Sequence, residues 1–376
     1  MIVMNFPDIQ PLEYSLNQNL FCLFWFILIL IFSLNNNNNN NKVSTITIFI
    51  LILIFSVFSF SNGDYFHYYD IIDRTRLYVN HISEYEHLEI IYQYIIEYVD
   101  KNYVLFRIIV WGGALFFYCL ISKEYKVPIT QSLLVLAMLY LMIFSYARAS
   151  LAMAIFFYGV SLLYKGVNKV VKCILGIGII LISINFHKSI VVLLPLVPFA
   201  IYDKMGRKYV WCLILLVPFI GVIMNSIYNG LVDYLGADSE LANSMVSYSQ
   251  LEHEKSNMFG LMSSLLKYMT FYIPCIILVQ NCMKNNNVIP REVKRLVHLI
   301  FLIIILSTCM LSLDINNNVM FYRILYMSMI PISIVVVYFK KYHLISAAKY
   351  KFILYLGFIN TLYILLYEVY YVIKYT

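Results

Sequence analysis

The sequence predicts an all-α fold, a polytopic integral membrane bundle of about 12 transmembrane helices. Of its 376 residues, 62% are hydrophobic and only 12% are charged, whereas a soluble domain carries about twice that share of charge. Apolar runs of nearly spanning length recur along the whole chain. Lysine and arginine cluster in alternate loops between those runs, which is typical of a chain that crosses a bilayer repeatedly.

Each predicted span is an apolar run of about 20 residues or slightly fewer, the length that a helix needs to cross the hydrocarbon core. A polar asparagine run is predicted to form the turn between the first two spans. We find no soluble domain and no internal repeat, so residues 1–376 are predicted to form one transmembrane domain. The predicted spans are residues 20–34, 43–60, 103–122, 128–147, 149–164, 172–186, 189–202, 209–228, 258–282, 296–313, 320–339 and 352–373.

The charge distribution predicts the orientation, because cytoplasmic loops retain lysine and arginine. Residues 61–102 and 229–257 hold 13 of the 20 acidic residues and are predicted to lie outside, capping an extracytoplasmic cleft. The basic residues that give the net charge of +7 lie mainly in the loops predicted to face the cytoplasm, so nucleic acid is not predicted as a partner. The loops predicted to face the cytoplasm hold 17 of the 27 basic residues and are residues 35–42, 123–127, 165–172, 203–208, 283–295 and 340–351.

The first outer segment contains a helical pattern of apolar and polar stripes, which predicts an amphipathic helix along the membrane surface. Two roles for this helix stay open. It is either a structural lid packed on the bundle or an element that contacts substrate. The apolar stripe consists of Tyr85, Leu88, Tyr92, Ile95 and Val99, and the polar stripe consists of Glu86, Glu89, Gln93, Glu97 and Asp100.

Basic side chains just beneath the predicted outer interface predict an anion pocket. An ionised group in hydrocarbon costs about 2.5–3.5 kcal/mol, so such groups are candidates for function. Arg148 and Arg323 are favoured, because the arginine fork matches phosphate geometry. Snorkelling of a long side chain to the interface is the alternative, and we prefer it for Lys188 and Lys267. The group consists of Arg107, Arg148, His187, Lys188, Lys267 and Arg323.

His187 has two interpretations, either a satisfied polar group at a helix junction or a general base near neutral pH. Known signatures narrow the chemistry, because the chain has no G-x-x-x-x-G-K-[ST], no G-x-G-x-x-G, no H-E-x-x-H and no G-x-S-x-G. The seven histidines show no tight metal-ligand spacing. No metal and no cofactor are therefore predicted.

Short motifs distributed over most of the chain resemble the Wzy-type polysaccharide polymerases, in particular their EpsG-like branch. Their order and topology carry the resemblance, since none is specific alone. They are Gly63-Asp64-Tyr65 with Tyr69, Glu89 with Tyr92, the run from Arg148 to Ile155, Phe186-His187-Lys188-Ser189, and Arg323 with Tyr326 and Pro331.

The resemblance implies an enzyme of the bacterial inner membrane that joins oligosaccharide repeat units on a polyprenyl pyrophosphate carrier at the outer face. Its partners would be the lipid-linked oligosaccharide and membrane lipid, and whether a chain-length regulator protein binds stays open. Arg148 and Arg323 are expected to bind the pyrophosphate, with Arg107, Tyr65 and Glu89 as further substrate-binding residues. Either His187 or Asp64 is expected to take the proton from the acceptor hydroxyl.

Two other functions compete with polymerisation. A flippase for the same lipid-linked sugars would also need a cationic cavity, but many transporters show repeated halves with broken helices near the midplane, and this chain shows no such symmetry. A membrane acyltransferase would more usually place a histidine and acidic partners near a cytoplasmic donor. His298 and His343, on the predicted inner side, show no such cluster in the sequence.

Overall fold

The structure is a computed structural model, and it describes nine ranges of the chain. They are residues 11–35, 42–58, 89–100, 102–140, 147–166, 169–202, 206–217, 258–311 and 324–375.

All regular structure in these ranges is helical, which confirms the predicted all-α class for the described part of the chain. A 3₁₀ segment at Lys188–Leu193 and a helical stretch at residues 207–217 accompany the α-helices. The α-helices are α1 (Pro11–Asn35), α2 (Lys42–Phe58), α3 (Ile90–Tyr98), α4 (Tyr103–Glu124), α5 (Ile129–Tyr140), α6 (Ala147–Gly166), α7 (Val170–Ile184), α8 (Leu196–Ile201), α9 (Met258–Lys284), α10 (Arg291–Leu311), α11 (Met329–Lys341) and α12 (Ala347–Tyr375).

Three helical stretches within the described ranges are long and apolar enough to cross a membrane, judged by length and composition. They are Tyr103–Glu124, Arg148–Gly166 and Ile324–Lys341. Four shorter apolar helices also coincide with predicted spans, namely Leu20–Phe32, Lys42–Phe58, Ile129–Tyr140 and Val170–Ile184. The total of about 12 spans stays a prediction.

The interval predicted as one span at 189–202 has a different structure, a 3₁₀ segment of six residues followed by α8, which also has six. Together they rise about 21 Å, which is shorter than the hydrocarbon core. Pro195 and Pro198 explain the break, because proline lacks the N–H that an α-helix interior needs. Apolar composition alone therefore predicted one continuous helix where the chain forms two short pieces.

Helix α11 lies at the centre of the bundle, since all residues from Met329 to Phe339 are buried. A helix that is apolar on every side is typical of such a position. Polar side chains join it to its neighbours. The Tyr118 hydroxyl of α4 donates to the Ser132 carbonyl of α5 at 2.7 Å and lies 2.8 Å from Ser333 Oγ of α11.

Helices α6 and α7 form an antiparallel hairpin whose backbones touch. A Cβ atom added to Gly159 would lie 2.8 Å from the Gly176 carbonyl oxygen, and one added to Gly176 would lie 2.8 Å from the Gly159 oxygen. Small residues allow this kind of close approach between helices in membranes. The contact also sets the register of the hairpin, because neither helix can slide without placing a side chain at the crossing.

The ends of several helices that carry basic residues meet at one end of the bundle. Lys341 Nζ donates to the Lys126 carbonyl at 2.6 Å, and Lys165 lies 3.4 Å from Glu124. Arg295 of α10 donates to the Tyr164 carbonyl at 2.9 Å. Four loops that the charge pattern assigns to the same side, 123–127, 165–172, 283–295 and 340–351, are thus neighbours in space.

Candidate functional site

The candidate site lies at one end of the α6–α7 hairpin, opposite to the end where Lys165, Lys341 and Arg295 meet. Helix α3 packs at the site end. The predicted amphipathic helix is present at Ile90–Tyr98, while Tyr85 and Leu88 lie outside the described residues. One stripe of α3 faces the bundle and is buried, and it consists of Tyr92 and Ile96, followed by the buried Val99 directly after the helix.

Tyr92 fixes the position of α3 through three contacts. Its ring makes edge contacts with Phe106 of α4 and with Phe186 after α7, each at 6.0 Å between centroids. Its hydroxyl donates to the Arg148 carbonyl at the start of α6, at 3.1 Å. Aromatic pairs of this geometry contribute about 0.5–1.5 kcal/mol each. One fully buried tyrosine thus joins α3 to three parts of the bundle.

Glu89, one turn before Tyr92, brings a carboxylate to the centre of the site. Its backbone carbonyl begins α3 by accepting from the Tyr92 N–H at 2.8 Å, but its side chain makes no capping bond to that helix. Instead Oε2 accepts from Arg148 Nη1 at 2.8 Å and Oε1 lies 3.2 Å from His187 Nδ1. The side chain of Glu89 is only 9% exposed.

The hairpin explains why two residues 39 positions apart meet at one carboxylate. Arg148 precedes Gly159 by 11 residues, and His187 follows Gly176 by the same number. Since the two helices are antiparallel and touch at these glycines, both side chains lie roughly 16 Å from the crossing, on the same side. Asn185 and Phe186 end α7 and turn the chain before His187.

The electrostatic state of Glu89 follows from its surroundings. Burial by itself raises the pKa of this carboxyl. The hydrogen bond from His187 and the charge of Arg148 together lower the pKa by more than burial raises it, so the net value lies below the usual 4.5. Glu89 is therefore ionised at neutral pH. An ionised carboxylate only accepts hydrogen bonds, so Nδ1 of His187 is the donor of this pair, and in a neutral imidazole Nε2 is then the acceptor.

The three members of this Glu89–Arg148–His187 cluster are not sealed from solvent. The side chains of Arg148 and His187 are 21% and 18% exposed. A cationic fork and a histidine nitrogen are thus held side by side at an accessible surface. Among the described residues, no three His, Cys, Asp or Glu side chains are grouped in a way that would hold a metal ion.

Arg107, a predicted substrate-binding residue, is only 2% exposed and contacts other helices. Its guanidinium donates to the Ser56 carbonyl in the last turn of α2 and to the Tyr103 hydroxyl at 3.3 Å. A cation at a helix C-terminus satisfies carbonyls that lack an intrahelical partner and complements the helix dipole. These contacts describe a residue that joins α4 to α2.

Other predicted site residues lie outside the described part of the chain. Asp64, Tyr65 and Arg323 belong to this group, as do most of residues 61–102 and all of 229–257. Lys188 is exposed at the start of the 3₁₀ segment, which is compatible with snorkelling. The structure describes the backbone at Lys267 in α9 but not its side chain.

Glu89, Arg148 and His187 are candidate site residues in the sequence alone, but the contacts that join them are not visible there. Glu89 was placed on the polar stripe of a surface helix, whereas its carboxylate joins two bundle residues. Tyr92 was placed on the apolar stripe, and its hydroxyl contact was not predicted. The signal available in the sequence was the three-residue spacing of Glu89 and Tyr92, which puts both on neighbouring positions of one helix face.

Comparison with known proteins gives a family. The EpsG family matches residues 43–376, which includes every residue of the cluster and nearly the whole chain. Neither a curated protein nor a solved structure matches the chain. The apolar helices and the family together identify a membrane protein. The chain belongs to the EpsG family, which suggests a polysaccharide polymerase type of function.

Proposed function

We propose that the protein is a membrane glycosyltransferase that polymerises polyprenyl-pyrophosphate-linked oligosaccharide repeat units at the outer face of the bacterial inner membrane. The chain would cross that membrane several times, with the Glu89–Arg148–His187 cluster on the outer side. The observation that carries the proposal is that Arg148, a cation suited to binding phosphate, and His187 both contact the ionised carboxylate of Glu89. Family membership supports the class of reaction.

The reaction needs a stabilised leaving group and a base. The acceptor sugar hydroxyl attacks the anomeric carbon of the growing glycan, a new C–O bond forms, and the bond to the pyrophosphate oxygen breaks. The departing polyprenyl pyrophosphate takes the electron pair. Arg148 binds this anion, and each charge-assisted hydrogen bond contributes about 1.5–3 kcal/mol. Arg323 and Arg107 remain proposed contributors to substrate binding.

The proton of the acceptor hydroxyl goes to His187 in this proposal, with Asp64 as the alternative base. His187 is favoured because its Nδ1 lies 3.2 Å from Glu89, so Nε2 is the nitrogen that is left to take a proton from the acceptor. A carboxylate that fixes the tautomer and orientation of a histidine is a recurrent arrangement in enzymes.

Glu89 takes a positioning role in this proposal. A carboxylate repels pyrophosphate, so any contact of Glu89 with substrate would be to sugar hydroxyls. Its two oxygen atoms are engaged by Arg148 and His187, which sets the distance between the anion-binding group and the base. Tyr65, which the resemblance also names, stays a proposed sugar contact at the same face.

Surface-polysaccharide length profiles test the function. A host strain deleted for the gene is complemented with wild type, Arg148→Ala, His187→Ala or Lys351→Ala, and the polysaccharide is resolved on a gel. Lys351 is an exposed base near the start of α12, at the opposite end of the bundle, and serves as the matched control. We expect the deletion to leave single repeat units, and wild type and Lys351→Ala to restore the ladder, while the two site variants do not.

Protein levels in the membrane are measured in parallel, so that a missing ladder is interpreted only for variants that accumulate normally. A normal ladder from Arg148→Ala would contradict the proposed site. Loss of all surface sugar in the deletion strain, including single units, would indicate a failure of export and favour the flippase alternative.

A further inference from the structure

A wide groove lies in the opposite half of the molecule from the Glu89–Arg148–His187 cluster. It runs between residues 207–217, α9 and α10, and its volume is about 1150 Å³. The proposed polymerisation does not use it. Its lining separates into an apolar length and a basic end, and this division of chemistry indicates what occupies it.

The floor and walls of the groove are apolar. Cys275, Val279 and Phe301 form a buried floor, while Trp211 and Ile276 stand on the walls with 62% and 52% of their surface exposed. Large apolar side chains this exposed are costly in water and ordinary against hydrocarbon. The groove therefore suits a hydrocarbon chain.

The basic end of the groove holds Arg207 at the start of the 207–217 stretch and Lys284 at the end of α9. Gln280 and Asn286 add amide groups, and no acidic side chain is among the described lining residues. At the other end the Tyr272 hydroxyl and Thr308 Oγ1 satisfy each other at 2.6 Å. One end thus favours an anion and the other end is neutral.

The length of the groove matches one leaflet. Tyr272 and Lys284 mark its ends along α9, and a helix rises about 18 Å over the 12 positions from one to the other. Half of a hydrocarbon core is about 15 Å thick. Arg207 and Lys284 at the basic end belong to the segments 203–208 and 283–295, which the positive-inside pattern assigns to the cytoplasm.

We propose that this groove binds an anionic phospholipid of the cytoplasmic leaflet, with its phosphate at Arg207 and Lys284 and an acyl chain between the 207–217 stretch, α9 and α10. Basic pockets between transmembrane helices on the cytoplasmic side are suited to anionic head groups. In this arrangement Trp211 lies beside the acyl chain, and its indole contacts the part of the chain nearest the head group.

Lipid retention tests the proposal directly. The full chain is reconstituted in nanodiscs of phosphatidylglycerol or phosphatidylcholine, and the lipid that stays bound after transfer to detergent is measured by native mass spectrometry. We expect preferential retention of phosphatidylglycerol, and a loss of about 25-fold in the variant Arg207→Gln/Lys284→Gln, from about fivefold for each juxtamembrane base. Lys349→Gln/Lys351→Gln, two exposed bases of α12, is the matched control and is expected to behave as wild type.

Two further measurements locate the lipid. Ile276→Trp fills the groove and is expected to abolish retention, whereas Ile174→Trp, at a residue of α7 that is 65% exposed, is not. Phosphatidylglycerol with brominated acyl chains is expected to quench tryptophan fluorescence in wild type and to do so less in Trp211→Phe, because the other two tryptophans lie elsewhere.

Equal retention of the two lipids, equal loss in the Lys349/Lys351 control, or unchanged quenching in Trp211→Phe would each overturn the proposal. Failure of these tests leaves the polymerase proposal untouched, because lipid retention is measured without substrate and with the Glu89–Arg148–His187 cluster intact.

Discussion

At the scale of single residues, Glu89 joins the groups on which the proposed reaction depends. Replacing it with glutamine keeps its shape but removes the charge that holds Arg148 and His187. A charge-assisted hydrogen bond contributes about 1.5–3 kcal/mol, so we expect Glu89→Gln to lower kcat/KM for lipid-linked repeat units about tenfold or more. Glu97→Gln, at an exposed position of the same helix, is the matched control.

A structural role alone and a positioning role predict different results for Glu89→Gln. If Glu89 only stabilised the fold, the variant would lose thermal stability while its folded fraction kept the wild-type pH profile of activity. A positioning role also changes that profile, because the partner of His187 Nδ1 is no longer a carboxylate. An unchanged profile in the folded enzyme would therefore rule out the positioning role.

The lowered pKa of Glu89 also predicts how stability depends on pH. The folded state binds this proton less tightly than the unfolded state, so the ionised carboxylate stabilises the fold above the usual value of 4.5. That contribution is lost as the pH falls from 4.5 through the lower folded pKa. Thermal unfolding of wild type and Glu89→Gln from neutral pH downward measures it. We expect the difference in Tm to shrink below pH 4.5, and a constant difference would contradict the assignment.

Arg107 illustrates a different use of a buried cation. Its guanidinium bonds to the Ser56 carbonyl at the end of α2 and to Tyr103, and it is almost fully buried. Arg107→Leu removes a charged donor from these two buried groups, and a hydrogen bond to a charged group contributes about 1.5–3 kcal/mol. We expect a lower Tm and a lower yield of folded protein, whereas Lys351→Leu at an exposed position leaves both unchanged. A stable but inactive Arg107→Leu protein would instead support the substrate-binding role.

At the scale of elements, the α6–α7 hairpin determines where Arg148 and His187 lie. Gly176→Ala places a Cβ atom 2.8 Å from the Gly159 carbonyl oxygen, so the helices must separate. Gly178→Ala, two residues along α7, meets nothing within 4 Å. We expect Gly176→Ala to shorten the polysaccharide ladder and lower Tm, although alanine otherwise favours a helix by about 1 kcal/mol. Gly178→Ala is expected to keep the full ladder, and equal effects of the two substitutions would contradict the register argument.

The elements also show which features the sequence could predict. Long apolar runs such as 103–122 predicted helices correctly, because lipid leaves the backbone no other way to satisfy its hydrogen bonds. The run at 189–202 failed as a single span because hydropathy does not register the missing N–H groups of Pro195 and Pro198. The pairing of α6 with α7 through Gly159 and Gly176 depends on tertiary contact, which a single sequence does not encode as a local pattern.

The same limit applies to the site. Arg148 and His187 could be recognised in the sequence because a charged or polar group at the edge of an apolar run costs free energy in a membrane, which makes it a candidate for function. Their shared partner was harder to recognise, since Glu89 lies among eight acidic residues of the segment 61–102 and differs from them only in its position on α3. Burial of Tyr92 on the next turn is what directs Glu89 inward, and burial is a property of the packed molecule.

At the scale of the whole molecule, the packing gives the helical bundle two chemically different ends. The Glu89–Arg148–His187 cluster lies at one end of the α6–α7 hairpin, and the ends joined by Lys341, Lys165 and Arg295 lie at the other. Positive charge is retained on the cytoplasmic side of a membrane. The separation of the two ends supports the proposal that the cluster faces outward, where lipid-linked units would be joined.

This orientation predicts which positions a membrane-impermeant thiol reagent reaches. In a variant whose seven cysteines are replaced, Tyr98→Cys at the end of α3 and Lys349→Cys at the start of α12 provide two positions that are both exposed, Tyr98 to 87%. We expect Tyr98→Cys to be labelled in cells whose inner membrane is intact, and Lys349→Cys to be labelled only after that membrane is opened. The reverse pattern would place the cluster in the cytoplasm, where the acceptor and donor of the proposed reaction would both have to be bound before export.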